Sequence, residues 1–422
     1  MATAIALFVI TYALMIALPD YRAYIAALCA LIFVVTGIMP IGKVPGYVDW
    51  NVILMIGGTM GIVDLFIESR MPSRLADLII RRTKSIKWTV VALSVFAGII
   101  SAFVDNVATV LMVAPVAITI AAKLKVSPVP GVIAIAVASN LEGAATLVGD
   151  TTSILLGGYA GMDFLDFFWM QGRPGMFWVV QLGLLAATLT LLFMLRKDKE
   201  PAEIEGITEV EDYFPGVLLL GTVALLIGAS FVPEKPAITN GLICVVLMAI
   251  GIVYETARSG KKGLISRSLL AMDYFTLLLL ASLFVVIGGI KEAGVIDRIA
   301  ELFVRLGGSS AFLMYSIILW ASVLLSAFID NIPYVATMLP VVTGISARMG
   351  IDPNLLYFGL LSGATLGGNL TPIGASANIA AIGLLRKNGN EVRNADYMRI
   401  GVPYSLAAVT AAYVVIWLLW GA

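Results

Sequence analysis

A sixteen-residue stretch occurs twice in this chain, as SAFVDNVATVLMVAPV from Ser101 to Val116 and as SAFIDNIPYVATMLPV from Ser326 to Val341, at an offset of 225 residues. Ser, Ala, Phe, Asp, Asn, Val, Pro and Val recur in register, half of the positions and far above chance. The same offset carries Gly143, Thr146 and Gly149 onto Gly368, Thr371 and Gly374, so the polar parts of a duplicated unit recur together. Each copy sets an aspartate and an asparagine, Asp105-Asn106 and Asp330-Asn331, inside an otherwise apolar run. Such groups are costly in an apolar medium, and a fold that keeps them has to use them or pair them.

The surroundings supply little help. With 60% hydrophobic and 13% charged residues among 422, and apolar runs of 17 to 20 residues throughout, the chain holds more apolar surface than a soluble core can bury. This predicts an all-α polytopic membrane protein with the lipid bilayer as its solvent. Net charge is zero and no basic cluster is interleaved with aromatics, which excludes nucleic acid as a partner. Cys29 and Cys244 lie far apart in apolar runs and read as packing residues, outside any CxxC motif or disulfide framework. Histidine is absent, so any proton traffic falls to carboxylates. The first apolar run, Ala4 to Leu18, lacks a basic flank and a cleavage site and reads as a retained helix.

In order, the apolar runs predict helices at 3–18, 23–39 and 51–69, a paired run at 88–104 and 107–123, a broken run at 129–160, and a helix at 176–196. The charged stretch Arg196 to Gly216 follows, and the plan repeats at 216–232, 237–254, 273–290, the pair 311–329 and 332–347, the broken run 354–385, and 401–420. SRLADLIIRR from Ser73 and DRIAELFVRL from Asp297 both read as amphipathic helices lying in the interface. The domain reading is a first repeat at 1–198, a cytoplasmic linker at 199–214 and a second repeat at 215–422.

Each paired run reads as a re-entrant hairpin whose tip stops at mid-bilayer, because VDNVA and IDNIP lack the charges and glycines of a water-facing turn. The alternative is two full crossings with Asp-Asn in a surface turn. Re-entrant hairpins leave five crossings per half, and an odd number turns the second half upside down. The lysines and arginines then divide 20 to one side and 7 to the other, out of 27, which marks the richer side as cytoplasmic and puts both termini outside it. Two inverted repeats with interrupted helices are a recurring build of secondary transporters, with the site at the repeat interface.

Asp105 and Asp330 are placed to cap the half-helices that follow them, with Pro333 in a first turn. Serine or asparagine would cap as well without an ionisable group at depth, so both acids are candidates for ion binding and proton coupling. Asn106 and Asn331 add carbonyl oxygens suited to a Na⁺ site near the four residues. The second constellation is SNLEGAATLVGDTTS, with Asn140, Glu142, Gly143, Thr146, Asp150, Thr151 and Thr152, matched by ATLGGNLTPIGASAN, with Gly368, Asn369, Thr371, Ser376 and Asn378. Glycines interrupt both runs and let backbone groups face a ligand; close helix packing is the competing account of Gly143 and Gly368. Glu142 and Asp150 fall on Gly367 and Ala375, so the site is expected to be asymmetric, with Asp105, Glu142, Asp150 and Asp330 converging as its proton-coupling acids. Asp64 and Glu68 rank lower, as interface residues.

The motifs FVDN at 103–106, the SN and GAAT-x-VGD elements at 139–150, FIDN at 328–331 and GGN-x-T-x-IGASAN at 367–378 carry a resemblance that spans nearly the whole chain. The sequence resembles the ion transporter superfamily, in the branch of arsenite pumps (ArsB), NhaD-type sodium/proton antiporters and P protein-like, citrate-transporter-like permeases. The resemblance implies transport roles for Asp105, Asn106, Asn140, Asp150, Thr152, Asp330 and Asn331, a site lined by Ser376 and Asn378, and a homodimer. Two departures stand out. The dicarboxylate carriers of the superfamily have Ser-Asn-Thr tips where this chain has Asp-Asn-Val and Asp-Asn-Ile, and Glu142 replaces a glycine.

The expectation is a secondary active transporter of the prokaryotic plasma membrane, exchanging a small ion for protons by alternating access, as in Na⁺/H⁺ antiport or arsenite/H⁺ efflux. No enzyme activity and no cofactor beyond Na⁺ or H⁺ as coupling ion are expected. A coupled anion or dicarboxylate carrier is the alternative, and a passive channel is another. An intramembrane aspartyl protease, suggested by paired membrane aspartates, does not account for a hairpin repeated at a fixed offset.

Overall fold

The computed structural model describes residues 1–196, 208–259, 272–308 and 310–421. Most of the expected linker, and the basic residues Lys261, Lys262 and Arg267, lie outside the described residues. The expected all-α architecture is borne out: eighteen helices of ten residues or more account for most of what is described, and a two-stranded β-ribbon at Trp169–Met170 and Arg173–Pro174 is a minor feature.

In the first half these helices are α1 (Ala2–Ala17), α2 (Arg22–Val35), α3 (Trp50–Glu68), α4 (Met71–Ile80), α5 (Ile86–Ser101), α6 (Asn106–Leu124), α7 (Val129–Gly143), α8 (Thr151–Ala160) and α9 (Met176–Met194). The second half follows the same plan with α10 (Phe214–Ser230), α11 (Thr239–Ser259), α12 (Tyr274–Glu292), α13 (Val295–Gly307), α14 (Ala311–Ser326), α15 (Asn331–Met349), α16 (Pro353–Gly367), α17 (Ser376–Lys387) and α18 (Asn394–Trp420). Six of them are long and apolar enough to cross a membrane on their own. Both predicted breaks occur, between α7 and α8 and between α16 and α17. The last helix starts at Asn394, seven residues before the apolar run, because Asp396 pairs with Arg393 and lets a polar first turn form where no apolar residue announces one.

Packing exchanges partners between the halves. α3 lies along α11 and α10, while α12 lies along α2 and α1. The remaining helices form a second group in which α5 packs on α7, α14 on α16, and α9 on α18. The break is where the halves interlock: α17 packs on α6 and α7, and α15 on α8. The counterparts α3 and α12 run in opposite directions. The end of α3 and the start of α12 line one cavity, through Ile67 and Asp273, and the start of α3 and the end of α12 line another, through Trp50 and Lys291.

The hairpin tips are largely buried, except that Phe328 at the second is 64% exposed. Ser101, Ala102, Val104 and Asn106 are at most 5% exposed, and Ser326 and Ala327 at most 3%. Among them the broken helices are threaded tightly. A Cβ on Gly149 would stand 2.8 Å from the carbonyl oxygens of Gly143 and Ser101 and 2.9 Å from that of Ala102; one on Gly374 would stand 2.5 to 2.8 Å from those of Gly368, Ser326 and Ala327. The same residues meet in the same way in both halves, which explains why both glycines sit at the repeat offset. Only a residue without a Cβ lets the backbones approach this closely.

Candidate functional site

Several helix starts converge on one cavity of about 370 Å³. Asn106 of α6, Thr151 of α8, Asn331 of α15 and Ser376 of α17 all line it, with Asp105 and Asp150. A helix start leaves main-chain N–H groups unpaired and carries roughly half a positive charge, so acidic groups are favoured there. Asp105 Oδ2 accepts from Val107 N at 3.0 Å and Ala108 N at 3.1 Å, and Asp330 Oδ1 accepts from Ile332 N at 3.1 Å. Asp150 does otherwise: its Oδ2 accepts from Thr152 Oγ1 at 2.9 Å and from Asn331 Nδ2 at 3.3 Å. It thereby joins the broken helix of one half to the hairpin tip of the other.

Behind the cavity a chain of amides does the same from both sides. Asn106 Nδ2 donates to Asn140 Oδ1 at 2.8 Å, and Asn140 Nδ2 donates to Asn369 Oδ1 at 2.7 Å and Asn378 Oδ1 at 3.0 Å. Asn378 Nδ2 closes on the carbonyls of Gly368 and Thr371 at 3.1 and 3.2 Å, and Asn369 Nδ2 on that of Val137 at 3.0 Å. Asn140, Asn369 and Asn378 are at most 1% exposed and Asn106 is 5% exposed, and every side-chain amide oxygen and nitrogen of the four has a hydrogen-bond partner. Thr146 and Thr371 donate to the carbonyls of Ala102 and Ala327 and pin the tips, and Ser153 donates to Gly143 O at 3.1 Å as Asn378 does to Gly368 O. Buried polar networks of this kind hold one arrangement when every member is paired.

The sequence candidates therefore divide. Asp105, Asn106, Asp150, Thr151, Asn331 and Ser376 line the cavity. Asn140, Gly143, Thr146, Thr152, Gly368, Asn369, Thr371 and Asn378 are the framework behind it. Glu142, expected in the cavity, is turned away. It is 1% exposed, sits against Gly98, and its Oε2 accepts from Gln181 Nε2 on α9 at 2.6 Å. Helical geometry accounts for this: Asn140 faces the amide network, and a residue two positions on points to the far side of α7. Glu142→Gln should consequently leave transport close to wild type, since a Gln oxygen can accept the same bond; a transport assay showing loss would return Glu142 to the ion path.

Three further acidic or polar residues and one cation line the cavity. Asp64, expected at the interface, lines it on the face of α3 that also presents Met60, Val63 and Ile67. Asp273 and Thr276 line it from the start of α12, where Asp273 caps Thr276 N at 3.0 Å and accepts from its hydroxyl at 2.6 Å. The Asp-x-x-Thr cap just before an apolar run was legible as a helix start, with nothing to place it at the site.

Arg22, the first residue of α2, is the cation. Its Nη1 donates to Asp330 Oδ2 at 2.6 Å, and its Nη2 lies 3.4 Å from Ser376 Oγ, which itself donates to Asp330 Oδ2 at 3.0 Å. Both ion-pair side chains are largely buried, 16% and 10% exposed. Arg22 lines the cavity and Asp330 does not. Among the described residues no three acidic, cysteine or histidine side chains converge on a metal site. A cation held here would use one or two carboxylates with amide, hydroxyl and main-chain oxygens.

The citrate transporter family profile, CitMHS, matches residues 12–363 and 268–422. The uncharacterized transporter Rv2685 of Mycobacterium tuberculosis is 31% identical over 425 residues, 98% of each chain. The human P protein is 27% identical over 469 residues, covering 92% of this chain and 55% of its own length. Among solved structures, the YdaH transporter of Alcanivorax borkumensis superposes with a TM-score of 0.62 at 17% identity, over 92% of this chain and 88% of its own. MtrF of Neisseria gonorrhoeae, described in a class of antimetabolite efflux pumps, reaches 0.58 at 17% identity over 92% and 83%. At that identity the likeness is one of fold.

Proposed function

This chain belongs to the citrate transporter family, and from that premise we propose that it is a proton-coupled secondary transporter in which Asp105 and Asp150 exchange protons for a small cation by alternating access. The observation that carries the reading is the acid content of the cavity. Asp64, Asp105, Asp150 and Asp273 line it, and Arg22, the one basic side chain among the described residues that lines it, is already committed to a fifth carboxylate. Carboxylates close together repel one another, and either a proton or a cation relieves that repulsion, so binding a cation and releasing protons are alternatives at one place. Asn106, Asn331, Thr151 and Thr276 supply neutral oxygens around them.

The second cavity, of about 610 Å³, supports alternating access. It lies between the start of α3 and the end of α12, with Ala336 and Leu339 of α15, and is the counterpart of the first by the repeat relation. The proposed cation site borders the first cavity and not the second, as expected of one of two end states. With re-entrant tips and the basic residues on the cytoplasmic side, the open face at Ile67 and Asp273 is the cytoplasmic one in an inner membrane.

Citrate itself is the second reading, favoured by Arg22, whose Nε is buried and without a hydrogen-bond partner. A tricarboxylate would enter so acidic a cavity with its charge neutralised by protons or a bound cation. Proteoliposomes containing a pH dye decide between the two. Under the lead reading an imposed gradient of Na⁺, Li⁺ or a divalent cation drives proton movement in the absence of citrate. Proton movement that requires citrate would transfer the assignment to the second reading, and none with any cation, arsenite or citrate would end both.

A further inference from the structure

The two hairpin tips carry the same acid, yet the acids are paired differently. At the first tip Asp105 and Thr151 face the cavity, and no basic side chain among the described residues pairs with Asp105. At the second tip the residues at the repeat offset are Asp330 and Ser376, and here a cation is already present. Arg22 Nη1 lies 2.6 Å from Asp330 Oδ2, Ser376 Oγ lies 3.0 Å from the same oxygen, and Nη2 lies 3.4 Å from Ser376 Oγ. The carboxylate and hydroxyl that would ligate a transported ion are ligating a guanidinium. Its helix gives no reason for it: a cation at a helix start opposes the dipole of α2, so the placement is stabilised by Asp330 and not by α2. Nor does the repeat supply a second one. The counterpart helix α11 begins at Thr239, and Lys235 upstream of it is paired with Asp163 at 2.6 Å.

We propose that the Arg22 guanidinium is a built-in cation: it holds, at the second tip, the place that a transported cation takes at the first tip beside Asp105 and Thr151, so that one of two equivalent acids handles ions. Arg22 stands between Asp330 and the cavity, bordering both the transport cavity and a smaller one of about 130 Å³ at Asp330 and Tyr12. The transporter therefore couples to one cation site fewer than its two-fold plan offers. Because guanidinium does not deprotonate in proteins, the second site is permanently filled. The inference rests on the cation reading of the first tip for this consequence, and its test is made on the second tip by itself.

The test is thermal unfolding of the purified full chain in detergent, in NaCl or LiCl against choline chloride at equal ionic strength, and with methylguanidinium as a side-chain substitute. Asp105→Asn removes the first acid and should show no specific cation response. Adding Arg22→Ala to it should create one: a rise in Tm of ~5 °C at saturating Na⁺, Li⁺ or methylguanidinium, as expected for a ligand that binds only the folded state. Adding Asp330→Asn as well should erase that response and restore stability in choline. A chain carrying Arg22→Ala that responds to no cation, or whose response survives Asp330→Asn, would overturn the proposal. Should Arg22→Ala prevent folding, the pair Arg22→Ala/Asp330→Asn decides. Recovery of folded protein supports charge compensation at this site, and continued failure to fold makes Arg22 a packing residue and overturns it. Failure of the first-tip reading shows up separately, as a wild-type protein with no cation response.

Discussion

Asp105→Asn is expected to reduce proton-coupled transport to the rate of protein-free liposomes while leaving the protein folded. The two effects separate because Asp105 has two jobs. As the cap of α6 it accepts hydrogen bonds from Val107 N and Ala108 N, and asparagine caps helices about as well as aspartate, so stability should change by no more than about 1 kcal/mol. As a cavity carboxylate it is, in the proposed mechanism, the group whose charge alternates, and an amide can neither release a proton nor balance a cation. Dye-reported proton flux and the unfolding temperature, measured on the same preparation, check both halves. Undiminished flux would remove Asp105 from the ion path; lost folding would mean that the charge is needed for the architecture.

Gly149→Ala and Gly374→Ala should each be severely destabilising, by about 3 kcal/mol or more. The Cβ would meet three backbone carbonyl oxygens at 2.8 to 2.9 Å in one case and at 2.5 to 2.8 Å in the other. Backbone cannot rotate aside as a side chain would, so relief requires the hairpin tip to back away from the break in the broken helix. That movement would also pull on the Thr146 and Thr371 hydroxyls that clamp Ala102 and Ala327. The yield of monodisperse protein and its unfolding temperature measure the effect. Gly161 offers a control in open space, although its φ of +67° makes alanine strained there for a backbone reason alone. Alanine at Gly228, where nothing lies near and φ is ordinary, should be tolerated.

Much of the architecture was legible because the bilayer imposes length and hydropathy on every crossing. The helices, both breaks and both paired runs follow from apolar runs and their interruptions. The start of α18 did not, since its first turn depends on the Arg393–Asp396 pair and not on apolar character. Of the site, the residues flanking a break were legible: Asp105, Asn106, Asp150, Thr151, Asn331 and Ser376 stand at helix starts, and helix starts converge. Glu142 and Asp64 were not legible, because adjacency to a motif does not place a residue on the same helix face and a position near a helix end does not decide between lipid interface and cavity.

The duplication and its acids were decided by the chain itself, because a repeated polar motif inside apolar runs is costly unless the fold brings its copies together. Which acids meet was decided only in three dimensions. Arg22 lies 308 residues from Asp330, and Asp150 lies 181 from Asn331. No local pattern encodes those distances, since a buried charge selects its partner by the space left after the helices have packed. Two tips with the same Asp-Asn pair thus acquired different chemistry, one open to the cavity and one closed by a guanidinium.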